Sequence, residues 1–188
     1  MSNAKNTLHE VLQALGARPE TSIECTHMAM GESGGWHSSV VATFPDGSRF
    51  TGQGEGGRRS SADFAAAGEI MGVLRESRGD LLVNWEKIFA DAQPGDALIK
   101  LSAYLASGLD DKHERSNLLQ KKERDVYLAT VVWDRWRAQG APEMGRFGDH
   151  LGEKNKASLV EAILWWRYKD RVMKDGAVDA LAELMAGL

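Results

Sequence analysis

The feature that most restricts the fold of this chain is the pair Asp46-Gly47, which lies between two short runs of β-prone residues. Asp-Gly at such a junction is typical of a tight β-hairpin, because the turn needs positive φ angles that glycine adopts without strain. Residues 39–44 and 48–52 are therefore predicted to form two antiparallel strands. Residues 21–28 have the same alternating, β-branched character and predict one more strand.

Helical patterns precede and follow these strands. Four leucine and valine side chains recur at the i, i+3, i+4 and i+7 positions of a helix that Gly16 would end; they are Leu8, Val11, Leu12 and Leu15. Helical spacing returns at Ala62 and stops at Arg78-Gly79. The order over residues 5–78 is α-β-β-β-α, which predicts an antiparallel sheet with both helices on one face.

Beyond Gly79 every periodic segment is helical. The predicted helices are residues 80–93, 96–109, 112–139, 155–174 and 177–187. Pro94-Gly95 is expected to separate the first two, since proline interrupts a helix interior. The predicted class is therefore α+β, with an N-terminal α-β-β-β-α domain at residues 5–78 followed by an all-α helical domain at residues 80–188.

Bulk composition limits the class of protein. Hydrophobic residues make up 43% of the chain and charged residues 27%, which is ordinary for a soluble globular protein. The sequence contains no apolar run near the roughly 18 residues of a membrane span and no signal peptide, so no membrane partner is expected. The single cysteine, Cys25, excludes an internal disulfide, and a cytoplasmic location is predicted.

The net charge of −4 argues against a protein that coats nucleic acid through charge alone. Residues 1–78 hold seven Lys and Arg against nine Asp and Glu, and the remaining residues hold sixteen against eighteen. Neither part is a basic domain. A local basic patch is still compatible with these counts.

The densest run of glycine is G-Q-G-E-G-G-R-R-S-S, residues 52–61, which is predicted to be a loop. Gly52, Gly54 and Gly57 match the G-x-G-x-x-G string of dinucleotide-binding folds. That motif requires a βαβ unit, and here a hairpin strand precedes the loop and no strand follows the helix. A P-loop is excluded because no G-K-[S/T] ends the run. The glycines either shape a strand-to-helix turn or form a turn that contacts nucleic-acid phosphate.

Residues 5–77 resemble the double-stranded RNA-binding domain family. The family's first helix, L-x-E followed by a later glycine, is similar to Leu8, Glu10 and Gly16. Its Gly-Pro-x-His element between the first two strands is similar to G-G-W-H, residues 34–37. Its third strand continues into G-x-G-x-S-K-K-x-A-K-x-x-A-A, and residues 52–67 read G-Q-G-E-G-G-R-R-S-S-A-D-F-A-A-A. The resemblance covers about two fifths of the chain.

This resemblance implies a protein without catalytic activity that recognises the shape of duplex RNA. Glu10 and Gln13 on the first helix would contact one minor groove, and His37 on the loop between the first two predicted strands would contact the next. The residues at the start of the last helix would meet the phosphates between the grooves; they are Arg58, Arg59 and Ser60.

The phosphate-contacting element differs from the family's pattern in its charge. The family's three lysine positions fall on Arg59, Ser60 and Asp63, so one cation is kept, one becomes a hydroxyl and one is reversed in sign. These changes predict weaker RNA binding with a flatter salt dependence. The alternative is therefore a protein–protein interaction module, an adaptor or inhibitor, on the same fold.

The remaining polar residues give no catalytic pattern, and neither an enzyme nor a cofactor or metal is predicted. Cys25 and His27 are interpreted as a packed core pair, because two candidate ligands do not make a metal site. An enzyme of unrecognised type would rest only on clustered acids and histidine, such as Asp149, His150 and Glu153.

Five of the six tryptophans lie beyond residue 80 and are interleaved with cations. The favoured interpretation is that they form the core of the helical domain, which needs such bulk. Trp and Arg also anchor protein interfaces. A protein partner or a homo-oligomer that forms through residues 80–188 is therefore predicted.

Overall fold

The computed structural model describes residues 3–31, 34–106, 112–122, 124–174 and 177–188. The chain forms two compact units. The first unit comprises Met1–Val83 and Gly145–Leu151, and the second unit comprises Asn84–Met144 and Gly152–Leu188. A three-stranded antiparallel sheet is combined with several helices, so the predicted α+β class is confirmed.

The first unit has the element order α-α-β-β-β-α, in which the second helix is a single turn. Its elements are α1 (Ala4–Ala14), α2 (Pro19–Ser22), β1 (Ile23–Met30), β2 (Gly35–Thr43), β3 (Arg49–Gly56) and α3 (Arg59–Ser77). The strand order is β1-β2-β3, and both pairs are antiparallel. The hairpin predicted at Asp46-Gly47 is confirmed, and Gly47 has a φ of +83°.

The strands are longer than predicted. β2 begins at Gly35, and β3 continues to Gly56, where it faces Trp36 of β2. The prediction of a glycine-rich loop was therefore wrong for residues 53–56, which are strand, and for residues 59–61, which are helix. The predicted polar loop at residues 30–39 shrinks to residues 31–34, of which 32 and 33 lie outside the described part. The polar residues of this stretch suggested a loop. They are compatible with a strand, because alternate positions of an antiparallel sheet face solvent.

The glycines of β3 allow α3 to lie directly on the strand. Gly52, Gly54 and Gly56 alternate along β3, so all three point to the same face of the sheet. A Cβ atom on Gly52 would lie 2.1 Å from the Ala66 carbonyl oxygen, and one on Gly54 would lie 2.4 Å from the Ala62 carbonyl oxygen. Any side chain at these positions would therefore collide with the backbone of α3.

The core of the first unit lies between the sheet and the two longer helices. The fully or almost fully buried apolar side chains of the sheet and these helices include Leu8, Leu12, Val40, Ala42, Ala62, Ala66, Ile70 and Leu74. At about 25 cal/mol per Å² of apolar surface, burial of this kind is the main force that holds the helices on the sheet.

The segment Gly145–Leu151 completes the first unit beside the end of α1. Gly148 donates its N–H to the Leu15 carbonyl oxygen at 2.6 Å, and His150 donates to that of Gly16 at 3.1 Å. Gly16 ends α1 as predicted, with a φ of +76°. A Cβ on Gly16 would lie 2.6 Å from the backbone nitrogen of Leu151, so this approach also needs glycine.

The described residues of the second unit form helices joined by short turns, without a strand. Its elements are α4 (Trp85–Ala106), α5 (Lys112–Lys122), α6 (Asp125–Tyr127), a π-helical segment (Leu128–Val132), α7 (Trp133–Ala138), α8 (Glu153–Lys174) and α9 (Ala177–Gly187). Of the five tryptophans beyond residue 80, Trp133 and Trp136 are buried as the core interpretation requires, whereas Trp85, Trp165 and Trp166 are only partly buried.

Two predicted features of the second unit were wrong. Pro94-Gly95 does not separate two helices, because α4 runs through both residues. A Cβ on Gly95 would lie 2.0 Å from the Glu161 carbonyl oxygen, so α4 packs against α8 at very short range, and this packing outweighs the cost of an internal proline. The helix predicted over residues 112–139 is interrupted at Arg124, whose backbone is extended.

In the part of the chain that the structure describes, none of the helices combines the length and the apolar character needed to cross a membrane.

Candidate functional site

The N-terminal turn of α3 carries the positive charge of the candidate site. Arg58 is the N-cap residue, with extended backbone, and Arg59 and Ser60 begin the helix. All three side chains are exposed. The first N–H groups of a helix have no partner within it and give this end a partial positive charge. Two guanidinium groups and a helix N-terminus are therefore presented together to solvent.

Asp63, one turn into α3, is buried rather than exposed with the arginines. Its side chain is only 8% exposed. Oδ2 accepts a hydrogen bond from Lys5 Nζ at 2.9 Å, and Oδ1 accepts one from Ser38 Oγ at 2.6 Å and lies 2.7 Å from His27 Nε2. We call these four residues the Asp63 cluster. They come from α1, β1, β2 and α3, so the carboxylate joins four elements of the first unit.

The hydrogen bonds of the Asp63 cluster determine the ionisation of Asp63. Burial by itself would raise the pKa of Asp63, but hydrogen bonds from Ser38, Lys5 and His27 and the charge of Lys5 outweigh it and lower the pKa to about 2. The hydrogen bond with Asp63 raises the pKa of Lys5 in turn. Asp63 is therefore a carboxylate paired with the Lys5 ammonium at neutral pH.

This pairing changes the charge that the α3 N-terminus presents. A surface anion at position 63 would oppose a phosphate that approaches Arg58 and Arg59. In the structure its charge is matched by the Lys5 ammonium at 2.9 Å and is mostly withdrawn from water. The long-range fields of the two ions largely cancel, since the pair is much shorter than the Debye length of about 8 Å.

Trp36 lies beside the same helix turn. The Cζ atom of Arg59 lies 4.1 Å from the centroid of the Trp36 ring, which is a cation–π contact. Trp36 pairs with Gly56 across the sheet. A Cβ on Gly56 would lie 2.7 Å from Ser61 Cβ, so this glycine lets the first turn of α3 approach the strand end that carries Trp36.

Glu10 and Gln13 lie on α1 with exposed side chains. The Lys5–Asp63 hydrogen bond joins the start of α1 to the first turns of α3. With a helix rise of 1.5 Å per residue, Glu10 and Gln13 lie about 8 and 12 Å from Lys5 along α1. They form a second polar surface, separate from Arg58 and Arg59. Glu10 also lines a cavity of about 250 Å³ whose walls include Leu82 and Val83.

The loop position that the family resemblance implies for His37 is wrong. This residue is in β2, and its neighbour Trp36 points to the helix side of the sheet, so His37 points to the opposite side. There its Nδ1 lies 3.8 Å from Glu55 Oε1. The structure therefore brings Arg58, Arg59 and Ser60 together and separates His37 from them by the sheet.

The core-pair interpretation of Cys25 and His27 was wrong for His27. Its side chain is 24% exposed and contacts Asp63. Cys25 is half-buried, and burial raises the pKa of its thiol. Sequence reasoning also missed Lys5, Ser38 and Trp36. The sequence held one signal for these contacts, which is the alternation of side chains along a strand. It places residues 25 and 27 on one face of their strand, and residues 36 and 38 on one face of theirs.

The Asp63 cluster does not have the arrangement of a nucleophile activated by a base. Ser38 and His27 both contact Oδ1 of Asp63, so the serine hydroxyl donates to the acid instead of to the imidazole. Within the described ranges, no three His, Cys, Asp or Glu side chains are grouped so that they could hold a metal ion.

No family model, no curated protein and no solved structure matches this chain.

Proposed function

We propose that the first unit binds double-stranded RNA by its shape and performs no chemistry on it. Arg58, Arg59 and Ser60 at the start of α3 contact phosphates, and Glu10 and Gln13 on α1 contact ribose hydroxyls in an adjacent minor groove. The family resemblance of residues 5–77 supports this proposal, as does the α-β-β-β-α order that the first unit has when its one-turn helix α2 is set aside.

The observation that carries the proposal is the burial of Asp63 beneath two exposed arginines. A carboxylate at the surface would repel phosphate, whereas this one is ion-paired with Lys5. The N-terminal turn of α3, whose N-cap side chain makes no capping hydrogen bond, therefore keeps two cations and the positive end of the helix dipole for an anionic ligand. Polar side chains on α1 lie about 8 to 12 Å away from Lys5, a distance at which one duplex can reach both surfaces.

His37 has a smaller part in this proposal than the family resemblance implies. It lies on the far side of the sheet from α3, beside Glu55. The β1–β2 connection spans only residues 31–34 between the two strands. We therefore assign the duplex contacts to α1 and to the start of α3, and we expect a His37→Ala variant to retain RNA binding within about twofold.

The test is a titration of the full chain with a 20-base-pair RNA duplex at low salt, followed by fluorescence anisotropy. Saturable binding is expected, with a preference over a DNA duplex of the same sequence, because only RNA carries the 2′-hydroxyl. Replacing Arg58 and Arg59 together with alanine is expected to weaken binding at least tenfold and to lower the salt slope by about 2, since two phosphate contacts are lost.

A matched control replaces Arg49 and Arg75 together with alanine. Both side chains are also exposed, but Arg49 lies on β3 and Arg75 lies near the end of α3. This variant has the same net charge as the Arg58/Arg59 variant. If the RNA affinity of both variants falls by the same factor, binding depends only on the overall charge of the protein and the proposed surface is wrong. Equal affinity for RNA and DNA would contradict shape recognition and would favour the alternative, a protein–protein module on the same fold.

The second unit is proposed to associate with a second copy of itself. Helix α4 carries three apolar side chains, Leu101, Tyr104 and Leu105, that are each more than 40% exposed. Large apolar side chains clustered on one helix are typical of an interface. The prediction is a mass above 20.6 kDa by sizing with light scattering, and a return to 20.6 kDa for Leu101→Glu.

The control for this experiment is Val178→Glu, which places the same charge at an exposed apolar residue of α9. We expect it to leave the measured mass unchanged. A wild-type chain that is monomeric at all concentrations would show that α4 does not mediate self-association.

A further inference from the structure

Trp36 has a position that packing of the sheet alone does not require. It is half-buried at the start of β2, beside the first turn of α3, and its ring lies under the guanidinium of Arg59. The residue across from it is Gly56, which leaves the ring room beside the first turn of the helix. Trp36 therefore contacts a side chain that the proposed function places against phosphate.

Stacking on a ring occupies one face of a guanidinium and leaves its edges open. Arginine donates its hydrogen bonds in the plane of the group, so Arg59, with its Cζ over the Trp36 ring at 4.1 Å from the centroid, can still donate to the oxygens of a phosphate. The Arg59 side chain remains exposed to solvent while it contacts the ring. An arginine without such a contact would populate many rotamers, and a ligand would have to order it.

We propose that Trp36 is a positioning residue that holds Arg59 in the orientation that binds phosphate. This inference rests on the proposed function of the first unit and adds a residue to it. The nearby carboxylate does not compete for Arg59. Asp63 is bound to Lys5, His27 and Ser38. Within the described part of the chain Arg59 therefore contacts the Trp36 ring and forms no ion pair with Asp63.

The first part of the test needs no RNA. Aromatic ring current shifts a proton above the ring upfield, so the Nε–H signal of Arg59 should lie upfield of the other arginine side-chain signals in the NMR spectrum of the free protein. Trp36→Leu, which keeps apolar bulk without a ring, should remove the shift, whereas Trp36→Phe should retain part of it. Backbone amide signals at the far end of β3, Arg49–Thr51, should be unchanged in both variants, because these residues pair with the end of β2 that is distant from Trp36.

The second part measures RNA affinity in a double-mutant cycle. Trp36→Leu is expected to raise the Kd for the 20-base-pair RNA duplex about three- to tenfold, as loss of one ordered side chain implies. Trp36→Phe should raise it less than twofold. In an Arg59→Ala background, Trp36→Leu should have almost no further effect, because there is no guanidinium left to position.

The possible outcomes separate this inference from the proposed function. An equal loss of affinity from Trp36→Leu with and without Arg59 would show that Trp36 acts independently of Arg59, and the inference would be wrong. RNA binding that does not respond to Trp36→Leu would overturn the inference and leave the proposed function intact. A wild-type protein that binds no RNA would overturn the proposed function itself, whatever the NMR spectrum shows about the stack.

Discussion

Replacing Gly52 with alanine is expected to destabilise the first unit by about 3 kcal/mol or more, the upper end of the range for overpacking. The added Cβ would lie 2.1 Å from the Ala66 carbonyl oxygen and 2.9 Å from Ile70 Cγ1. The first of these atoms belongs to the backbone, so no change of rotamer relieves the collision and α3 must move away from β3. A urea series followed by the amide NMR signals of β2 and β3 measures the free energy of unfolding.

The matched control is Gly57→Ala, five residues further along the same glycine-rich run. A Cβ on Gly57 meets no atom within 4 Å. The free energy of unfolding is therefore expected to change by less than about 0.5 kcal/mol. If Gly52→Ala were as mild as the control, the close contact between β3 and α3 would be wrong.

Replacing Asp63 with asparagine is expected to destabilise the first unit by about 2 kcal/mol at pH 7. A folded-state pKa of about 2 for Asp63, against an ordinary value of 3.8, corresponds to a stabilisation of this size for a side chain that is 8% exposed. The pKa is lowered on folding, so the stabilisation is complete above about pH 4 and is lost as the pH falls through about 2. The difference between the wild-type protein and Asp63→Asn should therefore shrink between pH 4 and pH 2.

The same urea and NMR measurement at several pH values checks this expectation. Glu76→Gln serves as the control, because Glu76 is an exposed acid on the same helix. Its stability should follow that of the wild-type protein at every pH. A difference between wild type and Asp63→Asn that stays constant from pH 7 to pH 2 would mean that the ionised carboxylate contributes nothing to stability.

Features that depend on local backbone conformation were predictable from the sequence. Asp46-Gly47 predicted a chain reversal, and Gly16 predicted the end of a helix. Both glycines have positive φ. Helix α9 at residues 177–187 was predicted with its observed bounds. In each case the residue itself determines the structure, because glycine has access to conformations that other residues adopt only with strain.

Features that depend on distant contacts were not predictable. Pro94 predicts a helix end, and only the packing of α4 on α8 at Gly95 shows why the helix continues. Asp63 appears in the sequence as a charge beside two arginines. Its burial depends on Lys5, His27 and Ser38, which are 58, 36 and 25 residues away along the chain.

The segment Gly145–Leu151 has a consequence for how the protein is made. Synthesis runs from the N-terminus, so the strands and helices of the first unit leave the ribosome before the residues that bond to Leu15 and Gly16 exist. Synthesis of residues 84 to 151, the segment included, adds 68 residues and takes roughly 3 to 14 seconds at translation rates of about 5–20 residues per second. During that interval the nascent first unit lacks the segment Gly145–Leu151. The first unit can therefore complete its folding only after much of the second unit has been translated.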